Sequence, residues 1–196
     1  MTLLEATATQ AVRNTSAPAL QTARLVLRAP RADDASPIVV LANDLRVAAM
    51  TARLPHPYSE ADAEQFIAKA GASTFTVTLA GGPPIGVCGI DWSRGERPEL
   101  GYWFGAPYWG HGYATEAARA VIDHAFDEPA VEALVAGARV SNPASRRVLE
   151  KCGFQWTGVE LRRIRAIASS APVDRFRLDR GLWASLKSWG AVQRVA

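Results

Sequence analysis

Apolar residues recur along this chain with two periods, and the places where one gives way to the other mark out its elements. Over residues 22–28, Thr-Ala-Arg-Leu-Val-Leu-Arg, apolar positions alternate with arginines and predict a first strand. Residues 32–42 read as a helix with Asp33 and Asp34 in its first turn, where negative charge meets the positive end of the peptide dipoles. Leu54-Pro55-His56-Pro57-Tyr58 cannot be helical, and Ser59 then caps a second helix with Phe66 and Ile67 on its buried side. Strands are predicted at 74–79 and 85–92, joined by a Gly- and Pro-rich hairpin turn at 80–84, and a third antiparallel strand at 99–104 follows a turn at 93–98. Residues 113–126 carry Ala117, Ala118, Val121, Ile122 and Ala125 at helical spacing. An apolar run at 131–140 leads to a short helix with Asn142 as N-cap, Pro143 at its first position and Gly153 at its end. Alternation at 159–167 and 173–178 predicts a terminal hairpin, and 181–186 a closing helix or tail. No internal repeat is evident.

Composition changes this picture little. A chain of 196 residues with 48% hydrophobic content makes one domain with one substantial core. The net charge of +3 is mild and the arginines are dispersed, apart from Arg162, Arg163 and Arg165, so no nucleic acid partner is expected. Cys88 and Cys152 lie in apolar settings without metal-ligand spacing, so buried free thiols and no metal are expected. No run is long enough to span a membrane, and residues 1–18 lack the basic start and apolar stretch of a secretion signal. The expectation is a cytoplasmic protein with a disordered leader at 1–18 and a tail at 191–196.

The candidate chemistry lies where the strand at 99–104 feeds the helix at 113–126. Gly110 and Gly112 free the backbone of the connecting turn, Tyr108-Trp109-Gly110-His111-Gly112-Tyr113-Ala114-Thr115, and the unpaired N–H groups of the helix's first turn then face outward. That is an anion site, against the plain alternative of a glycine-rich turn that only reverses the chain. The turn lacks the Gly-Lys-Ser/Thr ending of nucleotide-hydrolase phosphate loops, and its glycine spacing is wrong for a dinucleotide fold.

This turn, together with Asn142-Pro143-Ala144-Ser145 through Leu149-Glu150-Lys151-Cys152-Gly153-Phe154, resembles the GCN5-related N-acetyltransferase (GNAT) superfamily. The likeness is to the branch that holds the ribosomal-protein N-terminal acetyltransferases (RimJ/RimL type), and it extends from about residue 22 to about residue 183. The resemblance implies an α/β (α+β) single domain at 19–190, with a mixed central sheet of about seven strands flanked by helices. It implies transfer of acetyl from acetyl-CoA to an amine, a protein N-terminus or a small molecule, by a monomer or homodimer. Amides of Gly110, His111, Gly112, Tyr113 and Ala114, with Trp109 and Thr115 beside them, are expected at the pyrophosphate of coenzyme A. Main-chain groups of Trp103, Phe104 and Gly105, with Asn142, are expected along the pantetheine arm.

Acetyl transfer to nitrogen needs a neutral amine, a stabilised oxyanion and a proton for the departing thiolate. Glu99 matches the place of a general base in many relatives, with Asp91 in reserve; the plain alternative pairs Glu99 with Arg97 or water. Many superfamily members carry a proton-donating tyrosine where this chain has Leu149, which cannot donate. Ser145, one helical turn earlier, is the substitute candidate at the thiolate, against a plain surface serine. Tyr102, Trp103, Tyr108 and Trp109 read as packing or pocket walls, and Arg53, His56 and Arg165 as surface charge or as a greeting for an acidic acceptor. A catalytically idle acyl-CoA-binding sensor stands as the alternative function.

Overall fold

The computed structural model describes residues 19–92 and 97–192, so the leader, part of the turn at 93–98 and the last four residues lie outside the described chain. The described residues form eight strands: β1 (Leu20–Gln21), β2 (Leu25–Arg28), β3 (Thr74–Leu79), β4 (Pro84–Asp91), β5 (Glu99–Phe104), β6 (Ala133–Arg139), β7 (Gln155–Ile164) and β8 (Ser169–Asp179). They form one sheet in the order β1-β2-β3-β4-β5-β6-β8-β7, antiparallel except for the β5–β6 neighbours. Among the described residues, α-helices accompany them: α1 (Ala35–Ala42), α2 (Leu45–Ala48), α3 (Glu60–Lys69), α4 (Tyr113–Phe126), α5 (Pro143–Lys151) and α6 (Arg180–Val192).

The strand predicted at 22–28 begins only at Leu25, and a further short strand, Leu20–Gln21, precedes it. Thr22 N–H donates to the Leu25 carbonyl and Leu25 N–H to the Thr22 hydroxyl, each at 3.0 Å, so 22–24 turn and β1 folds back on β2. Asp33 and Asp34 were expected to favour a helix dipole. Instead Asp34 is buried, receives two 2.7 Å bonds from Arg28 and ties the start of α1 to β2. Asp44 caps α2, a helix too short for periodicity to reveal, within the stretch expected as loop. Ser59 and Asp62 form a capping box at α3, and α6 continues to Val192, past the point where a tail was expected.

Two apolar clusters position the site. Leu100 and Phe104 of β5 join Ala117, Val121 and Ile122 of α4 in the larger cluster. Trp103 packs instead against the smaller one, Ile38, Ala42, Tyr58 and Ala63, between α1 and α3. Neighbours on a strand face opposite ways, so α4 and α1–α3 cover opposite faces of the sheet at β5. Cys88 and Cys152 are free and buried; burial pushes both thiols up, that of Cys152 to about 11, so neither is a nucleophile at neutral pH. Among the described residues, no helix is long and apolar enough to cross a membrane.

Candidate active site

β5 and β6 lie side by side yet pair at only two positions, Glu99 with Val135 and Leu100 with Ala136. β5 continues to Phe104 and β6 to Arg139 without further pairing, and a cleft of about 1480 Å³ opens between and around them. Gly105 N–H donates to the Ile85 carbonyl, so the alternation of the antiparallel ladder turns Trp103 and Gly105 toward β4. The main-chain groups of Tyr102 and Phe104 therefore face the gap, with the Phe104 carbonyl taking a 2.7 Å bond from the Trp109 indole. Of the three residues expected along the pantetheine arm, Phe104 is the one whose N–H is left open to it.

The turn into α4 closes the mouth of this gap. Gly110 and Gly112 both have φ near +80°, a left-handed backbone that favours glycine, and Gly112 is the N-cap of α4. Among the described residues, the N–H groups of residues 110–115 find no acceptor; Glu116 is the first to bond, to the Gly112 carbonyl at 3.1 Å. Glu116, which the motif contains but sequence reasoning gave no role, braces the turn. Its carboxylate accepts from the Thr22 hydroxyl at 2.6 Å and from Arg24 Nε at 2.8 Å, while Arg24 also donates to the His111 carbonyl at 3.0 Å. The His111 ring is exposed and stacks on Tyr113.

At the far end of the gap, Asn142 Oδ1 accepts from Ser145 N–H at 3.1 Å, which fixes the start of α5. Ser145 lines the cleft, and its hydroxyl lies 2.9 Å from that of Tyr102, which also reaches the Ser145 carbonyl at 3.2 Å. Burial pushes the Tyr102 hydroxyl well above its ordinary value, so it remains a protonated donor. Leu149 is 1% exposed and packed in the core.

On the opposite face, Glu99 is 6% exposed and clasped by two arginines, Arg162 Nη1 and Arg175 Nη1, each 2.8 Å from Oε1. Burial alone would raise its pKa, but bonds from Arg175 and Arg162 outweigh that and hold it below the usual carboxylate value. Its partners are thus neither Arg97 nor water alone, and a carboxylate so held is a weak base. Asp91 pairs with Arg53. Gly137 makes room for the clasp: a Cβ there would lie 2.9 Å from Arg175 Nη1 and 3.0 Å from Val173 Cγ1. Gly137→Ala is expected to displace Arg175 and cost about 1–2 kcal/mol, a fall of roughly 2–8 °C in Tm by calorimetry.

Residues 24–155 match the family described as acetyltransferase (GNAT) domain. A curated relative, uncharacterized protein YkkB of Bacillus subtilis strain 168, is 41% identical over 76 residues, 37% of this chain and 44% of that protein. The chain therefore spans less than half the length of that relative. Among solved structures, an acetyltransferase of the GNAT family from Bacillus anthracis has a TM-score of 0.73 at 25% identity, covering 83% of this chain and 98% of its own. Spermidine N-acetyltransferase from Vibrio cholerae, solved with CoA and spermine, has a TM-score of 0.69 at 20% identity over 83% and 99%, a likeness of fold alone.

Proposed function

The chain belongs to the acetyltransferase (GNAT) family, and from that premise we propose that it moves the acetyl group of acetyl-CoA to a primary amine, of a protein N-terminus or a small molecule. One observation carries the reading: the row of amides at 110–115, without an acceptor among the described residues and backed by the α4 dipole, stands at the mouth of the gap between β5 and β6. Such a row suits a diphosphate. Residues 110–115 would hold the diphosphate of coenzyme A, and Phe104 N–H and Asn142 the pantetheine arm. When bound, acetyl-CoA supplies an activated thioester. The ribosomal-type motif around Trp109–Ala117 and Asn142–Phe154 supports the N-terminal acetyltransferase branch in particular.

Ser145 takes the role at the sulfur. Tyr102 positions it: when the Tyr102 hydroxyl donates to Ser145 Oγ, the serine proton is free to turn into the cleft. A hydrogen bond to a developing thiolate is a charge-assisted one, worth about 1.5–3 kcal/mol. Ser145→Ala is accordingly expected to lower kcat on the order of tenfold or more with KM for acetyl-CoA nearly unchanged. Glu99, the base expected from sequence, is ill suited to that role, because its two arginines keep it charged and weakly basic. Proton loss to water before reaction serves instead, aided by the surrounding arginines, which disfavour an ammonium.

The test is release of free thiol from acetyl-CoA in the presence of a panel of amines, alongside calorimetry of cofactor binding. Both native cysteines are buried and give little background. Thiol release with an acetylated product confirms the reading. Binding without release from any amine favours the sensor, the reading that the missing hydroxyl at Leu149 keeps in view.

A further inference from the structure

Among the described residues, charges on the acceptor side of the cleft do not cancel. Glu99 and Glu160 answer Arg162 and Arg175, Asp91 answers Arg53, and Asp44 answers Arg46. Arg139 is left over. It is the last residue of β6, beyond the point where β5 and β6 stop pairing, and it lines the cleft. Residues 135, 137 and 139 share a strand face, and the place of a Cβ on Gly137 lies 3.7 Å from Glu99 Oε1, so Arg139 stands on the Glu99 side. Its Nη1 donates to the Ala49 carbonyl at 2.6 Å, its Nε is buried with no acceptor, and no carboxylate among the described residues pairs with it. Arg165, also on the cleft, bonds the Arg53 carbonyl at 3.2 Å and has no ion pair among the described residues either. Asp62, bonded to the neutral Ser59 in the α3 capping box, keeps its charge and offsets that of Arg165 in part, which leaves Arg139 as the main unanswered cation.

A half-buried guanidinium bonded to a neutral carbonyl keeps its full charge, and with Nε buried it offers a ligand the remaining N–H groups of its two Nη nitrogens. We propose that the acceptor is an amine that also carries a carboxylate, and that Arg139 reads that carboxylate, with Arg165 as a second cation beside it. The inference rests on the acetyl-transfer reading and names the class of amine. A bare ammonium, or a polyamine, would be repelled by the unpaired charges of Arg139 and Arg165. A carboxylate on the same molecule reverses the sign of that encounter, and leaves the neighbouring nitrogen in a field that favours its neutral, reactive form. Arg53, His56 and Arg165 were the candidates for such a contact in the sequence. Arg53 is spent on Asp91, and Arg139 takes its place.

The experiment measures kcat/KM by thiol release, with mass detection of the acetylated product, for matched acceptors. These are free amino acids against their carboxamides, peptides beginning with Asp or Glu against the same peptides beginning with Asn or Gln, and spermidine. The acid of a pair is expected to exceed its amide by at least about tenfold, because the amide leaves Arg139 unanswered. The amino-acid and peptide arms tell which source supplies the carboxylate. In Arg139→Gln the ratio is expected to fall below about twofold; in Arg139→Lys, which keeps the charge but loses the fork, the preference persists at a raised KM. Arg163→Gln removes an exposed charge outside the cleft and keeps the wild-type ratio. Thermal melts establish that each variant is folded, and the Lys variant decides the matter if the Gln variant is not. Equal use of acid and amide, a preference for spermidine, or a ratio untouched in Arg139→Gln overturns the proposal and leaves acetyl transfer standing. Thiol release with no amine at all overturns both.

Discussion

Gly112→Glu is expected to abolish coenzyme A binding in calorimetry at concentrations that saturate the wild-type protein, a loss of at least about 100-fold, or roughly 2.7 kcal/mol. Two effects add. Gly112 sits at φ near +80°, where any side chain other than glycine's costs about 1–2 kcal/mol of backbone strain. The new carboxylate would also project from the N-cap of α4, among the amides proposed to hold the diphosphate, and set anion against anion. Space is not the obstacle, since a Cβ there would lie 3.5 Å from Arg24 Nη2 and meet nothing closer. Gly112→Ala carries the strain without the charge and is expected to bind within about tenfold of wild type while melting slightly lower. Wild-type affinity in the Glu variant would place the diphosphate elsewhere on the molecule.

The same turn shows how much was legible in the sequence. The helix at 113–126 and the strand at 74–79 appear with the expected bounds, because apolar spacing and a glycine stop or start are local signals. The break at 22–24 was hidden: alternation runs straight through it, and what folds the chain back is the hydroxyl of Thr22, which binds both Leu25 and Glu116, the latter 94 residues away. The site divides in the same manner. The family resemblance pointed to Glu99, Asn142 and Ser145, and all three line one cleft, but the partners of Glu99 lie 63 and 76 residues further along, where no period in β5 points. Arg97 was near in sequence and therefore the obvious guess. Tyr102 read as an aromatic wall because its hydroxyl acquires a purpose only once α5 is docked beside it. Arg139 lies within the apolar run at 131–140; the role proposed for it depends on β5 and β6 ceasing to pair after Leu100, which is a property of the sheet and not of the strand.

Glu99→Ala is expected to lower stability by about 3–5 kcal/mol, a fall of roughly 6–20 °C in Tm, because it leaves Arg162 and Arg175 facing each other with half their neutralising charge gone. Glu99→Gln keeps the shape and one acceptor for the arginines and should fall less. The pH dependence fixes the cause. The folded pKa of Glu99 lies below its unfolded value of about 4.3, so the clasp contributes fully above that pH and is lost as pH falls through the folded value. Wild-type stability should therefore drop more steeply below about pH 4 than that of Glu99→Gln, which has no proton to take up. Kinetics then separate a clasp from a base. A general base contributes about 10²–10⁴-fold to turnover, and its loss in the Gln variant would appear in kcat, together with the disappearance of an acid limb from the pH profile. Because the arginines already hold the carboxylate, we expect the reverse: most of the damage in Tm, and kcat per folded molecule within about tenfold of wild type. A thousandfold fall in kcat at unchanged Tm would restore Glu99 as the proton acceptor and require the clasp to open when the amine arrives.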